Sequence, residues 1–241
     1  MPSAKQPLQT SNRLLKELRA LIRPDKAAFL PRYFQTGPGE YAEGDQFLGV
    51  VVPDQRKTVR QFREMPLDQI QAGLNSPWHE MRLSCLFILQ HQFSKADPKK
   101  QDELVAFYLD NLDHVNNWDL VDSSAPQILG VWLLDRPAKR SVLFRLQKSK
   151  DLWRQRVSVV ATMPLVKNGE HDELLKLATL MLNHPHDLIH KATGWLLREM
   201  GMNNEQVLFG FLNKYATKMP RTMLRYSIEK LTAPQRTKYM N

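Results

Sequence analysis

Apolar residues recur along this chain at spacings of three and four. Segments 12–22, 54–64, 78–93, 99–112, 138–147, 152–166, 171–183, 186–200, 205–216 and 220–231 carry that period, which predicts amphipathic helices. Prolines stand between them, at Pro24, Pro53, Pro66, Pro77, Pro98, Pro137, Pro185, Pro220 and Pro234. Proline suits the first helical turn and cannot continue a helix, so it punctuates the pattern. Only Phe47 to Val52 reads like a strand. It is short and has no second strand to pair with, so a connector or an apolar plug is expected there. The expected class is all-α.

Stacking the longer helices brings out a repeat. Arg82-Leu83-Ser84, Arg156-Val157-Ser158, Lys191-Ala192-Thr193 and Arg225-Tyr226-Ser227 each read basic, apolar, hydroxyl in mid-helix. Position 119 falls 37 residues from both 82 and 156, and the next steps are 35 and 34. A period of this size belongs to stacked helical pairs, so an α-solenoid is preferred to a compact bundle. Equivalent positions of a solenoid line one concave surface. Trp118, Asp122, Arg156 and Trp195 lie at offsets of −1, +3, 0 and +4 from the repeat anchor. Neighbours three and four apart share a helical face, so two indoles, a carboxylate and a guanidinium are expected to converge.

Composition sharpens this picture. The 241 residues fit one large domain or two small ones, and 34 Lys and Arg against 25 Asp and Glu leave a formal charge of +9. That excess is either a solvated basic surface or the footprint of a polyanion, usually nucleic acid and sometimes an anionic membrane. The single cysteine, Cys85, sits in an apolar run, which suits a buried thiol in a reducing compartment and rules out an internal disulfide. No apolar run reaches the ~18 residues of a membrane span, and the N-terminus has no signal-peptide core. A cytoplasmic protein is expected.

Several constellations could carry chemistry. Trp118 and Asp122, four apart, stack on one side of a helix; a core tryptophan beside a surface acid is the plainer alternative. Asp119 is the rival carboxylate, and Asn116 or Asn117 could cap this helix. Arg154 and Arg156 point in different directions, so at most one faces a given ligand, as solvated charge or as a phosphate fork. Trp195 follows Gly194 inside a helical pattern, which marks a close approach by a ligand or by a neighbouring helix. Gly37-Pro38-Gly39-Glu40-Tyr41-Ala42 formally matches a dinucleotide loop, but no strand leads into it. His186 and His190 have metal-ligand spacing without a supporting motif, so capping or surface roles are expected and no metal.

At these residues the chain resembles the AlkD family of DNA alkylation-repair glycosylases. The matching pieces are Phe47-Leu48-Gly49-Val50 with Pro53 and Arg56, Asn117-Trp118-Asp119-Leu120-Val121-Asp122, Trp153-Arg154-Gln155-Arg156 and Gly194-Trp195-Leu196-Leu197-Arg198-Glu199. They run in family order from about residue 12 to the C-terminus. The resemblance implies one domain of HEAT-like helical repeats, 1–241, with a concave basic face. It implies Asp122 as the catalytic carboxylate, Trp118 and Trp195 as cleft aromatics, Arg156 at the DNA backbone and Tyr33 as a further aromatic. The basic residues expected along double-stranded DNA are Lys139, Arg140, Lys148, Lys150, Arg154, Arg156, Lys191 and Arg225.

The implied reaction is hydrolysis of the N-glycosidic bond of N3- or N7-alkylated purines, without base flipping and without a cofactor. An alkylated purine is already cationic and leaves without a general acid. The barrier is then positive charge growing on the deoxyribose, which a carboxylate in a partly dry cleft stabilises selectively. A monomer is expected. Two other functions share the same sequence features: a non-catalytic binder of branched or damaged DNA, and a helical-repeat protein scaffold.

Overall fold

The structure is a computed structural model that describes residues 9–240. Those residues are helical, apart from turns, extended connectors and one isolated bridge between Gln46 and Trp78. The chain divides into two compact units, one ending at Leu120 and one starting at Val121. The first contains α1 (Ser11–Arg19), α2 (Pro24–Tyr33), α3 (Val52–Thr58), α4 (Leu67–Leu74), α5 (His79–Lys95) and α6 (Pro98–Asp110); α7 (Trp118–Ser124) carries the junction. The second contains α8 (Val131–Leu134), α9 (Ser141–Gln147), α10 (Leu152–Val160), α11 (Met163–Lys167), α12 (Asp172–Leu180), α13 (Asp187–Asn203), α14 (Glu205–Tyr215), α15 (Arg221–Ser227) and α16 (Ala233–Met240).

Each unit is organised around one long helix. In the first, α5 is buried along most of its length, its polar residues His79, Glu80, Arg82 and Ser84 included, and packs on α1, α3, α4 and α6. In the second, α13 packs against α10, α11, α12, α14 and α15. The repeat anchors fall in these elements and their neighbours. Ser84, Ser158, Thr193 and Ser227 are all buried. Ser158 and Ser227 satisfy their hydroxyls on backbone carbonyls three residues back, Gln155 and Leu224.

Local chemistry sets the ends. Asp97 caps α6 and Asp151 caps α10, each accepting the backbone N–H three residues on, at 2.8 and 2.7 Å. Prolines occupy the first turns of α2, α3, α6 and α11. Pro164 also splits the expected helix 152–166 into α10 and α11. α2 escaped the periodicity because it buries no residue, so it carries no apolar stripe.

The strand-like run is the expected plug. Phe47, Leu48 and Val50 are buried in a segment that is neither helix nor strand, and the carboxylate of Glu80 accepts the N–H groups of Leu48, Gly49 and Val50 at 2.9, 2.7 and 3.2 Å. A buried acid thus replaces the missing sheet partner. Gly49 has φ of +82°, and a Cβ there would stand 2.3 Å from the Arg23 carbonyl, so glycine is required for α2 to begin against this segment. Among the described residues no helix is long and apolar enough to cross a membrane.

Candidate functional site

The first unit frames Trp118 from below. Asn117, just before α7, accepts the N–H of Trp118 at 2.8 Å and donates its amide to Asp45 at 3.2 Å. Asp45 also accepts from Arg82 at 2.5 Å and lies 3.1 Å from Nδ1 of His79. The other ring nitrogen of His79 lies 2.7 Å from Asp119. Two carboxylates on two ring nitrogens require both nitrogens to donate, so the imidazole is held as a cation. Burial alone would lower its pKa, but Asp119 and Asp45 outweigh burial and raise it to about 9. Asp45 moves the other way: its burial would raise the pKa, and His79, Arg82 and Asn117 hold it below the usual carboxylate value. Asp119, the rival to Asp122, is thereby committed to His79 and to the N–H of Leu120.

Aromatic rings complete this arrangement. Phe34 stacks on Trp118 with centroids 5.4 Å apart, and on Phe47 at 5.1 Å. Both phenyl rings lie over His79, at 4.9 and 4.8 Å, so the cation is capped by π faces. Tyr33, half exposed, meets Trp118 edge-on at 6.1 Å. A cavity of about 220 Å³ opens beside the stack, lined by Tyr33, Phe34, Phe47, His79, Leu83 and Asp119. Sequence reasoning did not find His79, Asp45 or Phe34. Arg82 as a repeat anchor and Asn117 as a possible cap were the available signals.

In the second unit Asp122, one helical turn after Trp118 on α7, meets Arg156 of α10. The contact is bidentate: Nε donates to Oδ1 at 2.9 Å and Nη2 to Oδ2 at 2.7 Å. The remaining Nη1 donates to the carbonyl of Leu188 at 2.5 Å. The Arg156 side chain is 6% exposed and that of Asp122 is 20%. The convergence of carboxylate and guanidinium read from the repeat offsets is therefore present. All three guanidinium nitrogens of Arg156 are engaged, two by Asp122 and one by the Leu188 carbonyl, so the side chain is tied to the acid and to backbone.

The remaining expected residues divide by environment. Trp195 on α13 donates its indole N–H to Glu199 at 3.1 Å. Gly194 answers to packing: a Cβ there would stand 2.5 Å from the Met223 carbonyl of α15. Lys148, Lys150 and Arg225 are exposed and Arg154 is half buried. Lys191 pairs with Asp187 at 2.8 Å along its own helix. Arg140 meets Glu170 at 2.6 Å, Glu173 at 3.4 Å and the carbonyls of Leu133 and Leu134, so it ties the end of α8 to the start of α12. His186 caps α13 through Nδ1, and His190 donates to the His184 carbonyl. Among the described residues no cluster of His, Cys, Asp and Glu could hold a metal ion. Cys85 is buried, and burial pushes its thiol pKa up, away from reactivity.

The geometry thus places an oriented carboxylate one helical turn from a half-buried indole in a basic, helical chain. The family model of the DNA alkylation repair enzymes matches residues 14–231, and the chain belongs to that family. A solved structure of a predicted DNA alkylation repair enzyme from Enterococcus faecalis is similar, with a TM-score of 0.71 at 18% identity, over 88% of this chain and 97% of that one. At that identity the likeness is one of fold. No curated protein matches the chain.

Proposed function

We propose that the protein is a monofunctional DNA glycosylase that hydrolyses the N-glycosidic bond of cationic N3- and N7-alkylated purines in double-stranded DNA. The observation that carries this reading is the Asp122 carboxylate, fixed in two dimensions by Arg156 yet still one-fifth exposed. A carboxylate that cannot rotate needs no reorganisation when charge grows in front of it, which is the condition for selective transition-state stabilisation. Asp122 meets the deoxyribose as it turns oxocarbenium-like and orients the attacking water. Trp118 and Trp195 hold the cationic lesion by face contacts worth roughly 0.5–2 kcal/mol each. The purine is already charged and leaves without a general acid, and it is not flipped into a pocket. Lys148, Lys150, Arg154, Lys191, Arg225 and Tyr33 are assigned to the DNA strand. The protein acts as a monomer in the cytoplasm, without metal or cofactor.

One observation favours a second reading. The Arg156 guanidinium cancels part of the Asp122 charge, and a paired acid is what a non-catalytic binder of branched or damaged DNA would use to hold its fold. Incubation with methylated DNA, followed by assay of free 3-methyladenine and 7-methylguanine, separates the two. The glycosylase releases both bases, and Asp122→Asn, which still accepts one hydrogen bond from Arg156, lowers the rate about 10²–10³-fold. Release that survives Asp122→Asn removes the mechanism. Absence of release, with tight binding to junction DNA, establishes the second reading.

A further inference from the structure

Three arginines gather at the far end of the seam between α3 and α5, and none of the chemistry above uses them. Arg56 lies on the last turn of α3, Arg60 in the 3-10 turn that follows, at 59–61, and Arg63 just beyond. Together with His91 of α5 they line a polar pocket of about 230 Å³ whose floor is Val59, Phe87 and Ile88. We propose that this pocket is a phosphate-binding site, and, resting on the DNA reading above, that its occupant is the phosphodiester backbone of the bound strand.

Four features support it. No carboxylate lines the pocket, and among the described residues none of the three guanidiniums has an acidic partner. In a folded chain, arginines left this close together carry a repulsion that an anion relieves. Arg56 is held in place: its guanidinium carbon lies over the Phe87 ring, 3.9 Å from the centroid, a cation–π contact that restrains the side chain. The backbone of the arginine segment is also pinned, because Gln92 of α5 donates to the carbonyls of Arg63 and Met65 at 2.9 and 2.8 Å. Finally, the field there is positive. Partial burial, then Arg63 and Lys95, keep His91 below its ordinary pKa despite the opposing pull of Glu64. A neutral imidazole beside three guanidiniums still donates one N–H to an oxyanion.

A tetrahedral phosphate with exposed oxygens suits several forks meeting from different elements. The same set offers an isolated carboxylate more donors than it can accept. Each phosphate neutralised adds about 0.9 to the slope of log affinity against log salt on duplex DNA. Arg60 and Arg63 are the positions to change, since Arg56 also packs on Phe87.

The test measures duplex affinity by fluorescence anisotropy between 50 and 200 mM salt. It compares wild type, the Arg60→Gln/Arg63→Gln variant and a Lys99→Gln/Lys167→Gln control that removes the same charge elsewhere. The slope is expected to become shallower by about 0.9, the loss of one phosphate contact, in the arginine variant and to change little in the control. In parallel, the His91 imidazole is followed by NMR as inorganic phosphate is added. Its pKa is expected to rise in wild type and to stay put in the arginine variant. An unchanged slope in the arginine variant, or an equal change in the control, overturns the inference. A His91 resonance indifferent to phosphate overturns it as well. If wild type binds no DNA while phosphate still raises the His91 pKa, the anion pocket stands and the DNA reading falls.

Discussion

Removing His79 tests the charge cluster under Trp118. The imidazole is 3% exposed, bridges Asp45 and Asp119, and has its pKa raised from 6.5 to about 9. At about 1.4 kcal/mol per tenfold change, that difference stabilises the fold by roughly 3 kcal/mol. The folded-state pKa lies above the unfolded one, so the stabilisation is complete below pH 6.5 and is lost as pH rises through 9. Asp45, held low, behaves oppositely: its contribution is present above its ordinary value of 3.8 and is lost as pH falls below it. Urea unfolding of wild type and His79→Leu, followed by tryptophan fluorescence at pH 6, 7, 8, 9 and 10, gives the difference directly. Wild type should lose roughly 3 kcal/mol between pH 6 and 10 relative to the variant, with the steepest part between 7 and 9. Parallel pH profiles, or an NMR titration placing the His79 pKa near 6.5, would refute the imidazolium bridge. Because the bridge fixes the start of α7 through Asn117 and Asp119, base release by His79→Leu should also fall at pH 7, and a pH-independent rate would separate folding from positioning.

Two further outcomes follow from single contacts. Arg156→Lys keeps the charge but loses the fork, so it should lower base release by at least tenfold while leaving duplex affinity within about threefold, a split seen by comparing single-turnover rates with anisotropy. Gly194→Ala forces a Cβ against the Met223 backbone and the Tyr226 side chain, and should destabilise the second unit by about 1–3 kcal/mol in urea unfolding; a neutral result would mean that α13 and α15 can separate without cost.

Helices announced themselves in the sequence because helical periodicity is local. The spacing of apolar residues fixed α5, α6, α12 and α13 to within a few positions, and proline and aspartate marked their starts. The residues at the hydroxyl positions of the loose repeat are buried, and Asp122 does meet Arg156. Helices without an apolar stripe, such as α2, left no such trace.

What each charged side chain does was decided only by tertiary structure. Asp45 meets Asn117 across 72 residues of chain, His79 meets Asp119 across 40, and Asp122 meets Arg156 across 34. A charge that loses its water must find an opposite partner, and that partner comes from whichever segment folding brings alongside. Composition counts the arginines of this chain. Only burial and packing separate Arg156, which grips an acid, and Arg140, which ties α8 to α12, from Arg56, Arg60 and Arg63, which face a pocket together.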